Sequence, residues 1–326
     1  MKSKTQSNGF YNEADTLLED PFIGSNTSNI SDSKSEVEAV PGFTLYDSID
    51  LSTETYPITK KNESSEVGDY QEAGSEAEVQ IDEPKEAYFS SYPDLIPSKD
   101  KQEVIIGTDD RVRVFANTSY PWRAICALRI TAHDNTQWIG TGWLVAPRVV
   151  ITAGHCVYLH GNGGWAKKIE VIPGLNDASR PYGSCVSSNV RSVRGWSESK
   201  KRDFDYGAII LPSDCRLGDR TGYFGYAVRN DSFLTGSVIN MSGYPGDKGG
   251  NQQWFMAQRP KSLTSKVITY DIDSMGGQSG GPVWIKEGEN RYCVGIHTNG
   301  HSSGNSATRI DLSVFNNIKF WKSLGL

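Results

Sequence analysis

The sequence predicts an all-β fold, and the arrangement of its apolar residues carries that prediction. From Val104 to Ile310 the chain consists of short apolar or alternating runs, such as AICALRI, KIEVIPG, YGAIILP and SVINMSGYPG, separated by Gly, Pro, Asn and Asp. Strands of this length between frequent turn residues are typical of a β-sandwich or a pair of β-barrels.

The C-terminus departs from this pattern. In DLSVFNNIKFWKSLGL, large apolar residues recur every three positions behind Asp311, a residue type that caps helix N-termini. The spacing predicts one amphipathic helix over about residues 311–324. Its apolar face would consist of Leu312, Phe315, Ile318 and Trp321.

Charge divides the 326-residue chain into two parts. Residues 1–103 carry 22 Asp and Glu against 8 Lys and Arg, and they contain neither cysteine nor tryptophan. Low hydrophobicity together with a net charge of −14 predicts a mostly disordered acidic segment. Residues 104–326 carry a net charge of +8 and hold all five cysteines and all eight tryptophans, so we expect the folded domain there.

Several classes of function find no support in the sequence. No run of about 18 apolar residues could span a membrane, no glycine-rich loop joins a strand to a helix, and the basic residues form no stripe for nucleic acid. The cysteine spacings match no zinc pattern, and we expect neither a metal nor another cofactor. Residues 1–20 lack the apolar core of a secretory signal peptide, which leaves the export route open.

Four glycines surround Ser279 in the stretch DSMGGQSGGPVW. Glycine is costly to order, so this density indicates backbone positions that a Cβ would block. The letters GQSGG match the nucleophile elbow of α/β-hydrolases, but that fold needs a helix, an acid and a histidine after the serine. Here PVWI continues as a strand and only 47 residues remain, so we reject that fold.

A serine hydroxyl becomes a nucleophile only when a base with a pKa near 7 lies within hydrogen-bond reach. His155, in ITAGHCVY directly after an apolar run, is the candidate base. In RDFDYGAIILP, Asp205 adjoins a run that would hold its carboxylate beside the imidazole, and Asp203 is the competing candidate. Taken singly, each residue fits an ordinary place in a turn or at a strand end. In the order His, Asp, Ser they predict a catalytic triad with Ser279 as the nucleophile.

Three segments, TAGHC, DYGAII and GGQSGGP, resemble the catalytic segments of the chymotrypsin-like serine proteases. Further segments, including IIGTDDRVRV, SGYPGDK and GIHTNG, are similar to the bacterial glutamyl endopeptidases of that family. The resemblance implies two six-stranded antiparallel β-barrels, about 104–212 and 213–310, with the active site in the cleft between them. It also implies an oxyanion hole made by the N–H groups of Gly277 and Ser279, and peptide hydrolysis through an acyl-enzyme.

The resemblance also bears on the substrate. In glutamyl endopeptidases a histidine and a hydroxyl residue bind the carboxylate of the residue before the cut, and by position these are His297 and Ser274. Such donors offset the desolvation of a buried carboxylate. Asp273 supports an alternative, because trypsins place at this position the acid that binds Lys or Arg. Cleavage after Glu or Asp is the expectation, and trypsin-like cleavage is the alternative.

Activation follows from the same resemblance. In chymotrypsin-like zymogens the freed N-terminus pairs with an aspartate just before the nucleophile, but Gln278 stands there. In the glutamyl branch the new α-amino group instead helps to bind the substrate carboxylate. Cleavage of KQE|VIIG after Glu103 would create that terminus at Val104 and remove residues 1–103 as a pro-segment. The segment is either held near the cleft by charge attraction or is a solvated tail that does not dock.

Five cysteines allow two disulfides in an oxidising compartment. Relatives with cysteines pair the one beside the catalytic histidine with a residue just before TGW, where Gly140 stands in this sequence. Cys156 therefore either pairs with Cys126 or stays reduced. The remaining candidates are a Cys185–Cys215 pair and a buried thiol at Cys293.

The sequence thus predicts an extracellular, monomeric serine endopeptidase that acts on proteins or peptides and has its own pro-segment as a partner. A function of another class remains open beside it. The same barrels could serve as a protease-like binding module without turnover.

Overall fold

The computed structural model describes residues 35–45, 85–86, 105–106, 108–301 and 304–326, and it confirms the predicted all-β architecture. Two curled antiparallel sheets form half-barrels, and a helix follows them at the C-terminus. The strands are β1 Lys85–Glu86, β2 Val112–Arg113, β3 Ile125–Thr131, β4 Gln137–Ala146, β5 Val149–Thr152, β6 Tyr158–Leu159, β7 Gly164–Trp165, β8 Lys168–Pro173, β9 Cys185–Ser187, β10 Val190–Ser192, β11 Gly207–Ile210, β12 Gly225–Tyr226, β13 Ile239–Gly243, β14 Trp254–Gln258, β15 Ser262–Leu263, β16 Val267–Tyr270, β17 Pro282–Glu287, β18 Asn290–His301 and β19 Gly304–Arg309. The α-helices are α1 Gly154–Val157, α2 Arg194–Ser197, α3 Leu217–Thr221, α4 Asp231–Gly236 and α5 Leu312–Ser323, and 3-10 turns occupy Trp122–Ala124, Arg202–Phe204 and Gly246–Lys248.

The first sheet has the strand order β10-β11-β5-β4-β3-β8-β9, and β1 pairs with β4 in parallel. Strands β6 and β7 form a separate hairpin. The second sheet has the order β15-β16-β19-β18-β17-β13-β14-β2, with β12 parallel to β18. The central strands are almost continuously buried because both faces are covered. Each sheet encloses a core of its own, and a third apolar cluster joins the two sheets and the C-terminal helix.

Aromatic rings fill much of the joining cluster. Trp284 lies at its centre, with its ring centroid 5.5 Å from Phe224, 5.9 Å from Trp122 and 6.2 Å from Phe255. Edge-to-face and tilted pairs of this kind add to the stabilisation from burial. The packing fixes the position of the second sheet against the first, and the candidate active site lies between them.

The predicted C-terminal helix is present as α5, and its cap is confirmed. The Asp311 side chain accepts a hydrogen bond from the Val314 N–H at 2.9 Å. The buried face is Val314, Ile318 and Trp321, whereas Leu312, predicted to face inward, is 56% exposed. With about 3.6 residues per turn, a strict three-residue spacing drifts by about 60° per step, so Leu312 lies on the side of the helix opposite Trp321. Among the described ranges no helix has the length and apolarity needed to cross a membrane.

Residues 35–45 of the acidic segment pack against the second sheet. Glu36 forms an antiparallel bridge with Lys286, and the carboxylate of buried Glu38 makes a two-point ion pair with Arg291 at 2.7 and 2.9 Å. Phe43 packs edge-on against Phe255 with centroids 5.0 Å apart. Residues 35–45 are thus an ordered part of a segment that the sequence predicts to be mostly disordered.

The cysteine predictions have different outcomes. The Cys185–Cys215 disulfide is present, and Cys293 is a fully buried thiol as expected. The alternative that Cys156 pairs with Cys126 is wrong, because the Cys156 sulfur instead lies 3.6 Å from the carbonyl oxygen of Ser279.

Candidate active site

The first sheet brings His155 and Asp205 together. His155 lies in α1 just after β5, and Asp205 lies just before β11, the strand that pairs with β5. Oδ2 of Asp205 lies 2.8 Å from Nδ1 of His155, and Oδ1 accepts the backbone N–H of His155 at 2.9 Å. Asp205 is fully buried, whereas the competing Asp203 is exposed. The buried carboxylate orients the imidazole and favours the tautomer with its proton on Nδ1.

The second sheet brings Ser279 against the same region. Its carbonyl oxygen accepts the Thr141 N–H at 2.8 Å and lies 3.6 Å from the sulfur of Cys156, the residue after His155. The next residue, Gly280, has φ of +87°, and a Cβ there would overlap the Thr141 carbonyl oxygen. Glycine therefore allows the serine-bearing turn to approach the first sheet closely.

Contacts with Thr141 and Tyr244 hold the turn before Ser279 in place. Gly277 has φ of +96°, and a Cβ there would lie 2.6 Å from the Tyr244 carbonyl oxygen. The Thr141 hydroxyl donates to the Gly277 carbonyl at 2.7 Å and accepts the Tyr244 N–H at 3.0 Å. Within the described part of the chain, the Gly277 N–H donates to no protein acceptor. The turn thus presents a fixed N–H donor close to Ser279.

His297 and Ser274, the predicted specificity residues, are both fully buried. The Tyr270 hydroxyl lies 2.6 Å from Nδ1 of His297, so Nε2 is the ring nitrogen that points elsewhere. Burial, and to a smaller degree the charge of nearby His155, lower the pKa of His297 from 6.5 to about 3, so this ring is neutral at physiological pH. Among the described residues the Ser274 hydroxyl has no hydrogen-bond partner. A buried hydroxyl in that condition can bond to a group outside the chain, such as a water molecule or a ligand.

Asp273 is buried, and its two carboxylate oxygens are occupied by main-chain donors. Oδ1 accepts the Ile106 N–H at 2.6 Å and Oδ2 accepts the Asp110 N–H at 2.9 Å. Burial is the main reason that the pKa of Asp273 is raised. Val104, predicted as the new N-terminus two residues before Ile106, lies outside the described residues.

Sequence reasoning missed three residues that support the site. Thr141 ties the two sheets together under the turn, Tyr270 contacts His297, and Arg111 bonds to Gln278 at 3.1 Å. Each lies far along the chain from its partner, and none stands in a local pattern that marks it. The GTGW segment contains Thr141, but its letters alone give no sign of the contact.

The arrangement matches a known family. The family model described as Trypsin matches residues 111–320 of the chain. The chain belongs to the trypsin family. It is a serine endopeptidase with a chymotrypsin-like fold, and the relatives below place it in the glutamyl endopeptidase branch of that family.

Individual relatives support this branch of the trypsin family. A glutamyl endopeptidase of Bacillus licheniformis is 39% identical over 253 residues, which cover 74% of this chain and 76% of that protein. A solved structure of a Glu endopeptidase in complex with MPD has 30% identity and a TM-score of 0.60, and it covers 68% of this chain and 100% of the other.

One relative carries a different name. A Bacillus subtilis protein named Extracellular metalloprotease is 41% identical over 219 residues, which cover 67% of this chain and 69% of that protein. In the part of this chain that the structure describes, no three His, Cys, Asp or Glu side chains gather as candidate metal ligands. The difference between the two names makes a chelator test worthwhile.

Proposed function

We propose that this chain is a glutamyl endopeptidase that cleaves peptide bonds after Glu through an acyl-enzyme formed on Ser279. The observation that carries the proposal is the buried pairing of His155 with Asp205 beside a glycine turn that holds Ser279. The fixed N–H of Gly277 next to that serine supports the same reaction.

In the proposed reaction the Ser279 hydroxyl attacks the carbonyl carbon, and Nε2 of His155 takes its proton. The negative charge that develops on the carbonyl oxygen is met by the N–H groups of Gly277 and Ser279. Asp205 stabilises the imidazolium, which then gives its proton to the leaving amine. Water attacks the acyl-enzyme by the same steps, and the acid product and the free serine result.

Specificity for Glu rests on two buried donors. The Ser274 hydroxyl has no hydrogen-bond partner in the described part of the chain, and His297 is neutral with its Nδ1 engaged by Tyr270. When the Tyr270 hydroxyl donates to Nδ1, the ring proton resides on Nε2, which can then donate to a carboxylate. Two such donors would offset the cost of burying the charge of the substrate.

Trypsin-like cleavage through Asp273 is disfavoured. Both of its carboxylate oxygens already accept main-chain N–H groups, from Ile106 and Asp110. A Lys or Arg side chain of the substrate would have to compete with these bonds inside a buried site. These bonds indicate a structural role for Asp273, which anchors the chain that follows the proposed cleavage site.

Processing after Glu103 fits this anchoring. Val104 is two residues before Ile106, and two residues span at most about 7 Å. A new α-amino group there would therefore lie near Asp273 and Ser274, where it could assist in binding a carboxylate. Residues 1–103 would be the pro-segment and residues 104–326 the active monomeric domain, and an extracellular location accords with the name of the Bacillus subtilis relative.

The test uses the purified, processed protein with peptides that differ only in Glu, Gln, Asp or Lys before the cut. We expect kcat/KM for Glu to exceed that for Gln by about a hundredfold or more. A Gln side chain carries no charge and turns an NH2 group toward one of the two donors, so that donor stays buried without an acceptor. Ser274→Ala should reduce this preference about tenfold or more. Preference for Lys, or loss of activity in a chelator, would overturn the proposal. N-terminal sequencing of the active protein should begin at Val104.

A further inference from the structure

Arg111 is a fully buried cation that lies directly behind the turn carrying Ser279. Its Nε and Nη2 atoms lie 2.8 and 3.0 Å from the Asp109 carboxylate, and Nη2 lies 2.6 Å from Asp247. Its Nη1 donates to Oε1 of Gln278 at 3.1 Å. Gln278 is the residue immediately before Ser279, so one guanidinium reaches both the chain near the proposed new N-terminus and the nucleophile turn.

Gln278 also forms hydrogen bonds within the turn. Its Oε1 also accepts the Met275 N–H at 3.0 Å, while its own N–H donates to the Met275 carbonyl at 3.1 Å. Arg111 therefore bonds to the same oxygen that closes residues 275–278 into a turn. Gly277, the candidate oxyanion donor, lies inside that turn.

The partner of Arg111 on the other side also contacts the turn. Asp247 belongs to the 3-10 turn Gly246–Lys248, and the Gly246 N–H donates to the Gly276 carbonyl at 2.6 Å. A Cβ on Gly277 would lie 3.1 Å from that same Gly246 nitrogen. Arg111 thus bonds both to the turn itself, at Gln278, and to the segment Gly246–Lys248, which contacts the turn at Gly276.

The charges of this cluster balance. Arg111 and Lys248 face Asp109 and Asp247, with Lys248 Nζ lying 3.1 Å from Asp109. Hydrogen bonds from Arg111 are the largest reason that the pKa of Asp109 falls to about 2. A carboxylate at position 278 would add a third anion to two cations, whereas the neutral Gln278 accepts a bond without disturbing the balance.

We propose that Arg111 is a positioning residue that holds the oxyanion turn in its working conformation. It supplies from a side chain the cation that chymotrypsin-like zymogens obtain from a freed N-terminus. This inference rests on the proposed function, in which Ser279 is the nucleophile and Gly277 an oxyanion donor. Because Arg111 is present before and after processing, the turn is formed in the precursor, and cleavage after Glu103 completes only the substrate pocket.

The first test compares Arg111→Met with Arg113→Met in the processed protein. Arg113 lies two residues further along the chain, on β2, but pairs with the half-exposed Asp177, so it serves as a matched control. For a Glu peptide, Arg111→Met should lower kcat about tenfold or more with KM within about twofold, and the control should match wild type. The inhibition constant of a peptide aldehyde, whose adduct carries the oxyanion, should rise by the same factor as kcat falls.

Gln278→Met is the second variant, because it removes the acceptor and leaves both aspartate pairs of Arg111 in place. It should show the same loss of kcat even if Arg111→Met fails to fold. A smaller change than tenfold in kcat for Gln278→Met, or an unchanged aldehyde inhibition constant, would overturn the inference. If wild type itself shows no activity that depends on Ser279, the proposed function fails instead.

The precursor gives an independent readout. Glu103→Gln blocks the proposed cleavage, and a fluorophosphonate needs no Glu-binding pocket. We expect this uncut chain to label at Ser279 within about tenfold of the processed rate, while it hydrolyses Glu peptides poorly. Slower labelling than that would mean that the turn forms only after processing, which contradicts the role given to Arg111.

Discussion

Replacing Asp205 by Asn tests how the buried carboxylate controls His155. The two oxygens of Asp205 accept two donors of the same residue, Nδ1–H at 2.8 Å and the backbone N–H at 2.9 Å. An Asn side chain offers only one acceptor. If its oxygen keeps the backbone bond, its NH2 group faces Nδ1 and forces that nitrogen to accept. The proton then resides on Nε2, which can no longer take the proton of Ser279.

The expected loss follows from that change of tautomer. A wrong tautomer in such a triad costs about 10⁴ in kcat, which corresponds to about 5 kcal/mol of activation free energy. In the opposite orientation the amide oxygen accepts from Nδ1 of His155, but the NH2 group then faces the backbone N–H of His155. Two donors would face each other in a fully buried site, which is also unfavourable. Folding should persist, since Asn has nearly the same volume as Asp.

The assay is the initial rate on a fluorogenic Glu peptide, with circular dichroism to establish that the variant is folded. Asp203→Asn is the matched control, because Asp203 lies two residues away on the same segment and is exposed. We expect wild-type kcat for the control. The reasoning is refuted if folded Asp205→Asn retains kcat within tenfold of wild type, or if Asp203→Asn loses as much.

Three further predictions concern stability. A Cβ on Gly140 would lie 2.9 Å from the Cys156 sulfur, so Gly140→Cys should form a disulfide that adds about 3 kcal/mol. Only the thiols of Cys126 and Cys293 should then titrate in the denatured, unreduced protein, and titration of the thiols at positions 140 and 156 as well would contradict this. Glu38→Gln leaves Arg291 buried without its counter-ion and should cost the uncut chain about 3 kcal/mol in urea unfolding, whereas a loss under 1 kcal/mol would mean that the pair matters little. Folded His297 has a pKa of about 3, so below pH 6.5 the unfolded chain takes up a proton that the folded chain does not, and stability falls with pH toward 3. His297→Gln should lose less stability between pH 6.5 and about 4.5, and an equal slope in urea melts would refute the assignment.

The sequence predicts the parts of the site that have local patterns. His155, Asp205 and Ser279 each adjoin an apolar run or a glycine turn, because a catalytic side chain needs a rigid strand or turn to hold it. The C-terminal helix is predicted for the same reason, since its period is local. Leu312 shows the limit of that rule, because a spacing of three residues does not match the roughly 3.6 residues of a helical turn and so does not keep to one face.

The contacts that sequence reasoning missed depend on long-range packing. Arg111 stands among acidic residues in TDDRVRV, where a buried arginine and a solvated one have the same neighbours in sequence. Tyr270 and His297 meet across the second sheet, and Glu38 meets Arg291 over a separation of 253 residues. Single polar residues carry no period, so only the fold reveals which of them pair.

The most direct test of the account is active-site labelling with a fluorophosphonate, followed by mass spectrometry of the digested protein. The account predicts one adduct, on the peptide that contains Ser279, and its loss in both Ser279→Ala and His155→Ala. An adduct on another residue, or undiminished labelling without the imidazole of His155, would contradict the claim that these side chains act together.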